Sequence, residues 1–154
     1  MVQGDSIQGK PVNMFGGQKP VWTNEQWDKV ISGYNRLGAL AREKGMTLTC
    51  HHHMGTGVQT EEEIDRFMAG VDKELVYLLF DSGHLTFAGI DPVKVLTRYV
   101  DRVRHVHLKD VRLSVRERAV REGWSFLTAV KNGVFTVPGD GDVDFAPLFD
   151  ILSA

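Results

Sequence analysis

Three short stretches carry the residue types that could do chemistry in this chain. They read "TCHHHMGT" (49–56), "FDSGH" (80–84) and "RHVHLKD" (104–110), and together they hold all six histidines. Imidazole and carboxylate are the ligand set for a divalent metal such as Mn²⁺, Co²⁺ or Zn²⁺. Side chains alternate along a strand, so His51 and His53 should share one face while His52 takes the other. Asp81 closes the second stretch, with His84 three residues on in the turn that follows. His105, His107 and Lys109 fall on one side of the third. A single histidine at a strand end is commonly a hydrogen-bonded structural residue. Three successive strands that each end in His or Asp/His form a pattern, because ligands of parallel α/β folds gather at strand carboxyl ends. The stretches lie far apart in the chain, so no local spacing defines a site. Only their shared position does. His52 and His105 read as structural or supporting residues.

The elements that must position these residues follow from apolar periodicity. "MTLTC" (46–50), "LVYLLF" (75–80) and "VRHVHL" (103–108) are strand candidates bounded by Gly or Asp. The middle one is apolar on both faces, as a parallel strand covered by helices should be. Trp27, Val30, Ile31, Tyr34, Leu37, Gly38 and Ala41 recur at helical spacing before a stop at Gly45. Thr23 with Gln26 and Thr60 with Glu63 have capping-box spacing, and Asp91–Pro92 opens a further helix. The order βαβαβ implies right-handed crossovers and a parallel sheet. Two Gly/Pro-rich loops, 9–22 and 137–145, flank this unit.

Other features have plainer readings. "EEEID" is an acid-rich first helical turn favoured by the helix dipole. Cys50, the only cysteine, reads as a small core residue and fits a reducing, cytoplasmic compartment. "PGDG" lacks the lysine and the strand–loop–helix order of a phosphate-binding P-loop. The basic run from Arg112 to Arg121 reads as solvated surface. A net charge of −2 with interspersed signs gives no footprint for nucleic acid or an anionic membrane. The longest apolar run, 75–80, is far too short to span a bilayer.

The chain opens on what reads as the tail of a strand, "MVQGD", and closes on what reads as a helix just begun, "APLFDILSA". Three or four parallel strands would leave two unpaired edges. A closed (β/α)₈ barrel needs about 250 residues. The expected fold is therefore α/β, a single domain over 1–154 forming part of a TIM barrel.

"CHHHMGTGVQTEEEID", "LLFDSGHLTFAGIDP", "RVRHVHLKDVR" and "GWSFLTAVKNGVFTVPGDGDVDFAPLF" together closely resemble the myo-inosose-2 dehydratase family of the xylose isomerase-like TIM-barrel superfamily. The resemblance covers essentially the whole chain. It implies a barrel section from the end of the fourth strand to the start of the eighth helix. It implies a divalent metal, Mn²⁺ or Co²⁺ with Zn²⁺ or Mg²⁺ as alternatives, held by Asp81, His107 and His51. Many superfamily relatives carry glutamate where His51 stands. The glutamate of the eighth strand would lie beyond Ala154 and strands 1 to 3 before Met1, so the site in this chain is expected to be incomplete.

The implied reaction is loss of water from 2-keto-myo-inositol (scyllo-inosose) to give a trihydroxycyclohexane-1,2-dione in inositol catabolism, sometimes with glutathione. His53 and His84 are the candidates for proton transfer, because imidazole titrates near neutral pH. The residues do not settle which is acid and which is base. Lys109 points into the same space and suits an enolate oxygen or a leaving group. Three rivals stand beside this reading: a metal-dependent sugar isomerase or epimerase, a nuclease of the endonuclease IV type, and an inactive fragment or a half-barrel that assembles with a second copy.

Overall fold

The computed structural model describes residues 6–154, so the strand tail expected at the N-terminus lies outside the described residues. Helix α1 (Asn24–Glu43) opens with the expected capping box, Thr23 accepting from the Gln26 amide and Gln26 answering to the Thr23 amide. Strand β1 (Leu48–His51) follows, then α2 (Glu61–Gly70), whose capping box pairs Thr60 with Glu63. Strand β2 (Val76–Asp81) runs directly into a short helix α3 (Ser82–Ala88). Helix α4 (Pro92–Tyr99), capped by Asp91 with proline at its first position, leads through one 3₁₀ turn to β3 (Val103–His107). The three strands pair in parallel in the order β1-β2-β3, as the βαβαβ pattern requires.

Strand alternation divides the sheet into two faces. Leu48, Cys50, Val76, Leu78, Phe80 and Val106 pack against Trp27 of α1, Ile64 and Phe67 of α2, Val95 and Leu96 of α4, and Leu148 of α7 (Ala146–Ser153). The opposite face carries His51, Asp81 and His107 at its carboxyl end, with Asp81 directly across from His107 in the ladder. Burial holds the Cys50 thiol up at about 12, against the opposing hydrogen bond with Tyr34, so this cysteine is a core residue.

A second apolar core is assembled from segments that follow the strand ends. Strand β4 (Asp110–Val111) pairs antiparallel with β5 (Phe135–Thr136), and between them run α5 (Leu113–Glu122) and α6 (Phe126–Lys131). Val111, Ala119, Ala129 and Val134 close here on Ile7, Met14, Met54 and Phe87. Sequence periodicity missed this unit, whose strands are two residues long and carry no readable alternation. The basic run is also only partly solvated. Arg112 donates to the Gly133 carbonyl at 2.7 Å and to Asp140 at 2.5 Å, and Arg116 donates to the Phe87 carbonyl at 2.9 Å. Two of its guanidinium groups thus tie α5 to neighbouring segments rather than facing water.

Helix α1 sits on the sheet at a close approach that only glycine permits. A Cβ on Gly38 would lie 2.6 Å from the Leu75 carbonyl oxygen, whereas one on exposed Gly33 would meet nothing within 4 Å. Both positions would gain about 1 kcal/mol of helix propensity as alanine. At Gly38 the backbone clash outweighs that gain, and Gly38→Ala should lower the unfolding free energy by about 1–3 kcal/mol. Gly33→Ala should raise it by about 0.5–1 kcal/mol. Paired urea titrations check the opposite signs, and a stabilised Gly38→Ala would refute the packing argument.

Candidate metal and proton-transfer site

The site is built on the Asp81 carboxylate, which is fully buried at the end of β2. Its Oδ1 caps α3 by accepting the His84 amide at 3.0 Å. Its Oδ2 lies 3.0 Å from His51 Nε2, 3.1 Å from His107 Nδ1 and 2.5 Å from Lys109 Nζ. One oxygen therefore gathers side chains from β1, β3 and the turn after β3. Parallel register brings these chain segments within reach of one another, because neighbouring strand ends lie one strand spacing apart.

The histidine run divides as alternation requires. His52 is buried behind the site, where its Nε2 accepts the Asp81 backbone N–H at 3.2 Å. His53 turns toward the site side, with Nδ1 2.8 Å from the Met54 carbonyl and 2.7 Å from the Gln8 amide. The Met54 carbonyl can only accept and the Gln8 amide nitrogen can only donate, so these two neighbours of Nδ1 ask for opposite tautomers. The His53 and His84 rings lie 3.5 Å apart, centre to centre, at 42°. His84 stands in the first turn of α3, not in an open turn, and Asp81 is the cap that starts that helix. Among the described residues, its buried Nδ1 has no hydrogen-bond partner. His105 is exposed, its ring 5.0 Å from that of His107.

Burial holds four of the imidazoles below their ordinary range, while neighbouring donors keep the carboxylate charged. Burial pushes His53 down to about 4 and His52 down to about 3. It drives His84 well below the ordinary imidazole range and lowers His107 in the same direction. Burial alone would raise Asp81, but the His51 hydrogen bond and the charges of His84 and Lys109 hold it far below the usual carboxylate range. Since His84 is uncharged at neutral pH, His51 and Lys109 are the partners that matter there.

This donor set fits a divalent cation. Ligand atoms of His51, Asp81 and His84 all lie within 4.8 Å of one another. The unpartnered His84 Nδ1 is a buried lone-pair or N–H group that a hydrogen-bond network would otherwise have satisfied. Of the residues read from sequence as ligands, His51 and Asp81 fall in this group. His107 touches Asp81 beside it, and His84 takes the third place. His53 packs on His84, and Lys109 reaches the shared oxygen.

Comparison with known proteins bears on the same residues. The xylose isomerase-like TIM barrel family matches residues 6–154. The chain belongs to that family. It is 57% identical over 152 residues to the inosose dehydratase of Geobacillus thermodenitrificans, covering 99% of this chain and 51% of that protein. It is 55% identical over 151 residues to the inosose dehydratase of Clostridium tetani, covering 98% and 51%. The chain thus spans about half the length of the curated relatives it matches. Among solved structures, a probable 3-DHS dehydratase from Bacillus anthracis superposes with a TM-score of 0.69 at 16% identity, over 90% of this chain and 52% of that one. An L-ribulose 3-epimerase superposes at 0.63 with 17% identity, over 88% and 39%. Family membership makes the three-stranded sheet a section of a TIM barrel, with the His/Asp residues at the barrel end where active sites lie.

Several residues around the site gave no sequence signal. Phe126 and Phe135 stand 5.2 Å from the His53 ring and 5.4 Å from the His84 ring, respectively, brought there by α6 and β5. Gln8 comes from a loop more than forty positions away from its partner. Asp110 is the clearest case. Its buried carboxylate accepts the N–H groups of Val111 at 2.8 Å and of Gly139, Gly141 and Val143 at 2.9 Å each. The "PGDG" loop does bind an anion, and that anion is the chain's own.

Burial alone would raise the Asp110 carboxyl, but these four amides hold it below the usual range. A depressed folded-state value gives stability that is fully present above the unfolded pKa and lost as pH falls through the folded one. Unfolding free energy should therefore fall as acid is added below about pH 4. Asp110→Ala should cost about 1–3 kcal/mol at neutral pH, because buried donors lose their acceptor. The gap between wild type and variant should narrow in acid. Urea titrations across pH read it, and a constant gap would contradict the assignment.

Proposed function

We propose that the protein containing this chain is a metal-dependent hydro-lyase of the inosose dehydratase type, acting on a polyol ketone such as scyllo-inosose. The observation that carries this reading is the pairing of two neutral imidazoles, half-buried His53 and buried His84, with the Asp81-centred donor group at the strand ends. The names of its relatives and the architecture of the family support it.

A divalent ion, Mn²⁺ or Co²⁺ in preference to Zn²⁺ or Mg²⁺, would be held by Asp81 and His51 with His84 or His107, and would supply Lewis acidity toward the ketone. The chain's own residues do the rest. His53, a neutral imidazole packed against His84, takes the proton from the acidic C–H next to the carbonyl. Lys109, its amine 2.5 Å from Asp81 Oδ2, stabilises the oxygen that gains charge as that proton leaves, or assists the departing β-hydroxyl. Loss of the α-proton and the β-hydroxyl together makes one water and an enol, which tautomerises to the dione. Phe126 and Phe135 keep water from the imidazoles. We read the chain as one domain of such a barrel, in a reducing cytoplasm that suits its single buried thiol. The composition favours a small-molecule partner over nucleic acid or membrane, and no helix among the described residues is long and apolar enough to cross a bilayer.

The test uses the polypeptide as its native source makes it, supplied with scyllo-inosose and Mn²⁺ or Co²⁺, with and without glutathione. Ultraviolet absorbance should rise as the conjugated dione forms, stop on chelation and return when metal is restored. His53→Ala should lower kcat by about 10²–10⁴-fold. A sugar product with no rise in absorbance would replace this reading with that of an isomerase or epimerase.

A further inference from the structure

Lys109 lies between the end of β3 and the start of β4, where no sheet ladder holds it. Its backbone is nevertheless fully paired, and by one side chain. The Ser82 hydroxyl accepts the Lys109 N–H at 3.0 Å and donates to the Lys109 carbonyl at 2.8 Å. Ser82 is itself fully buried in the first turn of α3. The next residue clears the path of the lysine side chain. A Cβ on Gly83 would stand 2.6 Å from the Lys109 Cβ and 3.3 Å from the Phe135 ring. From this arrangement the Lys109 amine reaches Asp81 Oδ2 at 2.5 Å, and Asp110 anchors the backbone immediately downstream.

We propose that Ser82 and Gly83 are positioning residues for Lys109: the hydroxyl of one fixes its backbone and the missing side chain of the other lets its amine fold onto Asp81. The four residues Asp81 to His84 then act as one device. Asp81 receives the lysine, Ser82 clamps its backbone, Gly83 admits its side chain and the His84 amide holds the other oxygen of Asp81. The clamp matters because a hydroxyl bridging one residue's N–H and C=O permits a single backbone orientation, and a four-carbon side chain amplifies any rotation of that backbone at its amine. A misplacement of about 1 Å at a reacting group can cost on the order of 10²-fold in rate. The consequence for turnover rests on the dehydratase reading; the positioning does not.

The first measurement needs no variant. The Lys109 amide of the wild-type protein should exchange slowly with deuterium despite lying outside every strand and helix, and exchange at the rate of an open loop would overturn the proposal. The second is brief labelling with an amine-reactive reagent, read by peptide mass spectrometry with exposed Lys131 as the internal standard. In Ser82→Ala and Gly83→Ala proteins that retain cooperative unfolding, Lys109 should label several-fold faster than in wild type while Lys131 is unchanged. Unchanged Lys109 labelling in such folded variants would also overturn it. Where wild type turns over scyllo-inosose, Ser82→Ala should lower kcat about tenfold or more with KM little altered. If wild type shows no turnover, the dehydratase reading fails while exchange and labelling still decide the role of Ser82.

Discussion

The Asp81 carboxylate is the interaction on which the rest of this structure depends. It is a buried charge, and such a charge is tolerated only when its oxygens are filled by donors. Here Oδ1 starts a helix, and Oδ2 draws in His51, His107 and Lys109 from both neighbouring strand ends. The same group therefore fixes the direction of α3, the position of His84 within it and the packing of His84 on His53. His52 supports this from behind by holding the Asp81 backbone N–H. A candidate functional centre and a structural joint are here one carboxylate.

Asp110 repeats the principle one strand further on with backbone donors in place of side chains. Four amides close on it and draw the loop at 137–145 against the end of β3. That closure positions β5, and with it Phe135, beside His84 and over the Lys109 amine. The second apolar core then has a defined place above the strand ends, where it screens the imidazoles and pushes their pKa values down. Burial, rather than any opposing charge, is the largest cause of those shifts. The apolar roof and the neutral histidines are thus cause and effect.

Legibility in the sequence followed the strength of local signals. Capping boxes at Thr23 and Thr60 and the Asp91–Pro92 start were readable because each is a short-range hydrogen-bonding pattern. The three parallel strands were readable from apolar runs, and strand alternation separated His52 from His51 and His53. Helix α3 was not, since "SGHLTFA" opens with serine and glycine and its cap is a residue already spent on the preceding strand. The roles of Arg112 and Arg116 were hidden for a different reason: each donates to a backbone carbonyl distant in the chain, which leaves no trace in composition.

What the amino-acid order determined by itself is the parallel sheet and the delivery of His51, Asp81 and His107 to adjacent strand ends, because period-two alternation and parallel register are local geometry. Tertiary structure alone decided which atoms meet there. It placed His84 rather than His107 in the tight His/Asp/His group, brought Phe126, Phe135 and Gln8 to the imidazoles, and turned Ser82 into the clamp of Lys109. Most of these are contacts between residues far apart in the chain, from 27 positions for Ser82 and Lys109 to 45 for Gln8 and His53 and more for the two phenylalanines, and they depend on side-chain packing and on the burial of unpaired polar atoms. Neither quantity exists until the chain has closed on itself.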